Sequence, residues 1–442
     1  MMRSTRQQRP TLLAAALAAA LAWPAAAAAT TQDELEARIA ELERQIAELK
    51  AAVATKAEAK PAPAPGTPAP IQATTVTPGS SARSVFTVGG FMRTDALLTR
   101  TDGGEIPDGA TARDLYIPGA IPVGGQREST DLDTHIKFSR IWFGFDDTTE
   151  AGDKLAARLE LDLFGGALGN EIATNTFGVI VRHAWFGWNN WLFGQTWSNF
   201  MDAAALPDSV DLIGPTDGTV FVREPMVKYT NGPWSIALEN PQTTVTPYRG
   251  GTRIASDDGN LPDLNVRYRY AQPWGHLSAG AMLRQLKYQN RGGTRVDGRT
   301  AALAGTVSGR YAFDSSNDIR FALNFGQGLG RYVGLGIASD AVVDADGDLE
   351  AIDGVAGFVA FRHVFNPTLR ANVYWSASRW DNDVALTGLG VSESVRSISA
   401  NLFYTPVPRL DLGLEYRHGR RVLESGAKGD LDRLHFIARY AF

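Results

Sequence analysis

The sequence predicts an all-β fold, a 16-stranded antiparallel transmembrane β-barrel, preceded by a short N-terminal coiled-coil helix. Three observations carry that expectation. Segments of about ten residues alternate apolar and polar positions, as strands with one greasy and one wet face do. Seven short turns rich in Gly, Pro, Asn and Asp separate strand pairs that are otherwise joined by longer polar loops. An export segment opens the chain.

That segment is residues 1–29. Arg3, Arg6 and Arg9 form its basic end, TLLAAALAAALAW its apolar core, and PAAAAAT offers small residues for cleavage. The core is too short to span a bilayer as a helix. Export across an inner membrane places the mature chain in the envelope of a Gram-negative bacterium, with the barrel in the outer membrane and the N-terminal coil in the periplasm.

Residues 30–56 read as a coiled coil. Leu35, Ile39, Leu42, Ile46, Leu49 and Val53 follow a heptad seam. Its β-branched and leucine positions lean toward a parallel dimer, whereas RIAELE, from Arg38 to Glu43, resembles a short trimerisation motif of coiled coils. There an arginine pairs with a glutamate of a neighbouring chain. A single solvated helix is the alternative, because three heptads are marginal alone. Residues 57–83 form a Pro/Ala/Thr-rich linker, extended and semi-rigid. The barrel occupies residues 84–442.

Within the barrel the turns fall at TTEAGD, WNNW, NGPW, QPWG, DSSND, NPT and PVPR. Seven short turns alternating with eight longer loops require sixteen strands. The strands themselves show the pattern. KLAARLELDLF puts Leu155, Leu159 and Leu161 on one face and Arg158, Glu160 and Asp162 on the other. The last strand, RLHFIARYAF, sets Leu434, Phe436, Tyr440 and Phe442 against Arg433, His435 and Arg439. A terminal aromatic such as Phe442 is the usual insertion signal of outer-membrane barrels. Parity is expected to slip in HIKFSRIWFGF, where a bulge would re-aim the side chains.

Composition excludes several functions. The chain of 442 residues has no cysteine and a mild net charge of −5, so thiolate sites are excluded and a nucleic-acid binder is not indicated. The histidines show no metal-ligand spacing, and no nucleophile motif appears. No cofactor, no metal and no enzymatic activity are expected. The acidic run DADGDLEAID lacks the glycine and glutamate positions of an EF-hand, and GQGLGRYVGLG lacks Rossmann spacing.

Sixteen strands leave a water-filled lumen. Parity turns inward the cations Arg93, Lys154, Arg158, Arg267, Arg269, Arg284, Arg310, Arg320, Arg362, Arg370, Arg417, Arg433 and Arg439. It turns inward fewer anions: Asp95, Glu160, Asp162, Glu239, Asp263, Asp411 and Glu415. Excess cations lower the barrier for anions. The chain uses only eight lysines, and arginine grips a carboxylate or phosphate at two points. The alternative is that these arginines pair with lumen acids and hold the wall.

The mature chain resembles the DcaP-like trimeric outer-membrane porins. The resemblance rests on the exported coil, the linker, the opening FTVGGFMRTDALL, and above all GQTWSNFMDAAALPDSVDLIGPTDGTVFVREPMVKYT, Gly194 to Thr230. It implies a homotrimer of sixteen-stranded porins that passes small anions, notably dicarboxylates. It also implies an inward-folded constriction loop near residues 198–222. Arg223 would stand at that eyelet, and Glu224 beside it would pair with a wall arginine. Asp202, Asp208 and Asp211 would either oppose the arginines across the pore or tether the loop. Leu35, Arg38, Ile39, Leu42, Glu43, Ile46 and Leu49 would support oligomerisation. Expected partners are outer-membrane lipids and lipopolysaccharide, the barrel-assembly machinery during insertion, and the cell wall through the coil. Two other readings stay open: a phosphate-selective porin, and a structural tether between outer membrane and cell wall.

Overall fold

The computed structural model describes residues 84–125, 127–166, 177–290 and 296–442, with Ala40, Arg44 and Ala47, which are helical. The export segment, the linker and the coil positions Leu35, Arg38, Ile39, Leu42, Glu43, Ile46 and Leu49 lie outside the described residues.

Alternating sequence becomes alternating burial throughout. The wall opens with β1 (Val85–Thr101), β2 (Ser129–His135), β3 (Arg140–Thr148), β4 (Lys154–Asp162), β5 (Ile180–Trp188), β6 (Trp191–Trp197), β7 (Arg223–Asn231) and β8 (Trp234–Glu239). Two short strands, β9 (Thr243–Thr246) and β10 (Ile254–Ser256), interrupt it. It resumes with β11 (Asp263–Gln272), β12 (Gly275–Asn290), β13 (Val296–Ala312) and β14 (Asn317–Gln327). After β15 (Ala341–Val343) and β16 (Leu349–Ala351) come β17 (Asp353–Asn366), β18 (Leu369–Asp381), β19 (Ser392–Val407), β20 (Leu410–Leu423) and β21 (Lys428–Ala441). All neighbours in the wall are antiparallel, and β1 pairs with β21 from Phe91↔Ala441 to Thr101↔Leu431, closing the ring. No open edge remains, which is what a sheet in lipid requires.

Seventeen strands make sixteen staves, because β2 and β3 lie end to end along β1. The break between them, residues 136–139, falls in the stretch where parity was expected to slip. His135 faces inward from an odd position and Arg140 from an even one, with Phe138 turned in and fully buried between them. All seven short turns fall between strands where the sequence places them. β9, β10, β15 and β16 form a separate small sheet from two of the long loops.

Gly194 shows how tightly two staves close. Its φ is +123°, and a Cβ there would lie 2.3 Å from the Ala184 carbonyl oxygen and 2.7 Å from Trp185 Cα. Gly194→Ala must part β5 from β6 and adopt a disfavoured φ. It is expected to cost about 3 kcal/mol, read as an earlier loss of the heat-resistant folded band on a gel.

A basic passage beside an inward-packed loop layer

Three loops turn into the barrel rather than away from it. Phe200, Met201 and Val220 from residues 198–222, and Leu329, Tyr332, Val333 and Ile337 from residues 328–352, share one buried cluster with the wall residues Met282, Ala304, Ala356, Trp380 and Val395. Ile106, Ala112, Tyr116 and Ile121 of the first loop pack on Leu431. Apolar residues at inward wall positions therefore meet protein, not water.

Polar contacts fix residues 198–222 to the wall. Ser198 Oγ and Asn199 N donate to Glu239 on β8 at 2.7 and 2.6 Å. Asp202 hydrogen-bonds His276 and Ser308, each at 2.8 Å. Val210 N donates to Glu415, and its carbonyl accepts from Arg93. Asp211 accepts from the Tyr116 amide, and Asp217 accepts from the Tyr116 hydroxyl, both at 2.9 Å. Burial alone would raise the Asp202 carboxyl, but His276 and the field of Arg267 outweigh it and hold it at about 2. A carboxyl lowered on folding stabilises above its unfolded value of about 3.9. That contribution is lost only as pH falls through about 2. Asp217 goes the other way, with burial pushing it up.

Of the three loop aspartates, Asp202 and Asp211 are sealed in these tethers. Asp208, 34% exposed, remains open and faces Arg362 at 3.8 Å and Arg370 at 3.3 Å. An opposed row of three loop carboxylates does not form.

The inward arginines divide into two groups. Arg93, Arg284, Arg417 and Arg433 are buried and hold the loops. Arg284 Nε meets Asp263 at 2.9 Å, and its Nη1 meets Asp340 at 2.8 Å. Arg417 bonds Glu415 and Tyr374, and Arg433 bonds Thr99 and the Ala112 carbonyl. Parity turned these residues inward, but the loop layer covers them, so they do not line the passage.

The other group stays at least partly open, except for the buried Arg182. Toward the chain-terminus end, Arg310, Arg320 and Arg362 share Asp318 at 3.2, 2.8 and 2.7 Å. Arg370 and Arg439 share Asp411. Across the lumen, Arg158 and Arg140 share Glu160 at 2.6 and 2.8 Å, and Arg140 and Arg182 share Asp162. Each carboxylate thus answers two or three guanidinium groups. Arg223 lies on this side, over the Trp197 ring at 3.5 Å and 3.4 Å from His183 Nε2. Glu224 pairs not with the wall but with Arg331 of residues 328–352.

Along β7 and β11, Arg223, Lys228, Arg267 and Arg269 have no carboxylate within ion-pair distance among the described residues. Lys228 and Arg267 flank β8, with Lys228 paired to Ala237 and Arg267 to Ser235. Arg269 follows two positions nearer the turn at 273–274 and is exposed. Together they make a basic track from Arg223 toward the short-turn end.

Sequence reading missed Arg140, Arg182 and Asp318. Arg140 follows the break at 136–139. Arg182 sits at a register shift in the β4–β5 pairing, where Glu160 opposes His183 but Leu161 opposes Val181. Asp318 closes the DSSND run that reads as a turn, yet it is the second residue of β14.

A closed sixteen-stave barrel with its loops packed inside and a charged passage beside them is an outer-membrane channel of the porin class. Residues 93–442 match the family described as DcaP outer membrane protein, and the chain belongs to that family. It is a channel of the Gram-negative outer membrane, not an enzyme.

The fold matches the crystal structure of the outer membrane channel DcaP of Acinetobacter baumannii at a TM-score of 0.67 and 24% identity, covering 82% of this chain and 99% of that one. A loop L8 deletion mutant of OmpT from Vibrio cholerae matches at 0.51 and 14% identity, covering 81% and 100%. Outer-membrane expressed OmpT matches at 0.50 and 13%, covering 82% and 99%. No curated protein sequence matches the chain.

Proposed function

We propose that this barrel is a passive diffusion channel preferring small anions, with dicarboxylates the best-fitting solutes. The basic track carries the reading. Cations without acidic partners leave a net positive field along the path, lowering the barrier for anions and raising it for cations. Their spacing offers a solute successive weak sites rather than one tight trap. A dicarboxylate can hold one site with one end while the other end reaches the next. Arginine, which dominates the track, grips each carboxylate at two points. Asp202 and Asp211 serve here as tethers, and Asp208 as the loop's one open charge.

The test is the reversal potential of the purified protein in a planar bilayer under a KCl gradient, followed by titration with succinate and with phosphate. Chloride preference with block by succinate is the expected result. Block by phosphate alone would favour a phosphate channel, and cation preference would overturn the reading.

We further propose that three copies assemble, with the coil of residues 30–56 supporting the assembly. The outward face of β1, β3 and β4 carries Val88, Met92, Leu155, Leu159 and Leu161 without the Trp and Tyr that flank it on β5 to β8. Such interfacial aromatics mark lipid headgroup contact. Deleting residues 30–83 separates channel from tether: lost envelope integrity with intact conductance would favour the tether.

A further inference from the structure

The outer face of the wall carries a charged feature that the passage does not use. A cross-strand row runs Leu323↔Gly357↔Ala377↔Arg396↔Arg420 over β14, β17, β18, β19 and β20. It faces away from the lumen, since the intervening Ala356, Ser376, Ser378, Val395 and Ser397 are buried. Gly357 and Ala377 project almost nothing, so the row dips into a groove of about 580 Å³ walled by Leu323, Val355 and Trp375.

Arg396 and Arg420 stand directly opposite each other, an arrangement that destabilises an antiparallel pair by itself. Asp430 answers Arg420 through two hydrogen bonds of 2.5 and 2.6 Å. Arg396 is exposed and meets no carboxylate among the described residues. Arg379, one row farther from the short turns, reaches Glu393 at 3.0 Å. The row nearer the turns is apolar, with Val359, Trp375 and Ile398 cross-strand neighbours and all exposed. Like charges set at the upper margin of a greasy groove fit an anion that carries its own apolar tail.

The same construction recurs elsewhere on the wall. Lys287 and Arg299 are cross-strand partners on β12 and β13. Arg299 lines a second outward groove, walled by Leu261, Leu264 and Leu283.

We infer that the groove headed by Arg396 and Arg420 is a binding site for a phosphorylated glycolipid of the outer leaflet. A sugar phosphate bridges the two guanidinium groups, and an acyl chain lies over Gly357 and Ala377. The phosphate supplies the negative charge that Arg396 lacks.

Native mass spectrometry of the purified barrel with added lipid A tests this. Wild type is expected to retain bisphosphorylated lipid A and to release its dephosphorylated form. Arg396→Glu is expected to lower occupancy about tenfold or more, the loss of one charge-assisted contact. The same change lets residue 396 pair with Arg420, so the lipid-free barrel should become no less heat-resistant. Ala377→Trp fills the groove without changing charge and should also lower occupancy. Equal retention of phosphorylated and dephosphorylated lipid would overturn the assignment. So would equal displacement by phosphatidylglycerol, or wild-type occupancy in Arg396→Glu.

Discussion

Arg284→Ala is expected to destabilise the barrel by about 3–5 kcal/mol, the usual cost of removing one partner from a buried ion pair. The side chain of Arg284 is 1% exposed and those of its partners Asp263 and Asp340 are fully buried. Its guanidinium also donates to the Gln242 and Gly328 carbonyls, joining both loops of the small sheet to β11 and β12. Tyr332 completes the arrangement, donating to Asp263 at 2.9 Å with its ring 4.9 Å from the guanidinium carbon. Without that cation, two carboxylates stay buried and uncompensated, and the cheapest relief is for Asp340 to move out to water. Residues 328–352 would move with it.

The substitution should therefore lower the temperature at which the folded band is lost on a gel and raise single-channel conductance with added noise. Arg284→Lys keeps a charge but not the planar fork, and should fall between. An unchanged conductance would mean that the apolar cluster around Leu329 and Val333 holds the loop without help.

The second large effect concerns selectivity. Neutralising Arg223, Arg267 and Arg269 together, each to glutamine, should shift the anion-to-cation permeability ratio roughly tenfold toward cations. Each charge acting at ~8 Å through water contributes about 0.5 kcal/mol, and salt screening reduces the effect further. The effect should therefore grow as KCl is diluted. Glutamine removes charge without reversing it, so Asp202 and Glu239 near Arg267 gain no new repulsion. A reversal potential that stays put would assign the selectivity to the Asp318 and Asp411 clusters instead.

The wall was legible in the sequence because its signals are local. A turn needs Gly, Asn or Pro within a few residues, and a stave declares its two faces by period two. For that reason Arg158, Arg267, Arg310 and Arg439 face inward as parity requires. The interior was not legible, because it is built by contacts between distant positions. Asp202 finds Ser308, 106 positions away, and Tyr116 finds Asp217, 101 away. Nothing near Arg417 or Arg433 in the chain says that a loop will cover them. Parity does not find Arg140 and Arg182, because the backbone leaves the regular pleat there, nor Asp318, because β14 begins inside the DSSND run.

The seam between first and last strands also dictates an order of events. Asp95 on β1 finds its histidine at position 435, 340 residues later, and Gly90 exchanges both backbone hydrogen bonds with Phe442. The opening strand therefore waits, one edge bare, until the final one is made. Contacts of such long separation form slowly, and bare edges invite aggregation in the interval. A chain with this seam has to be shielded until the ring can shut, so its yield in a cell will follow the supply of escorts as closely as its own stability.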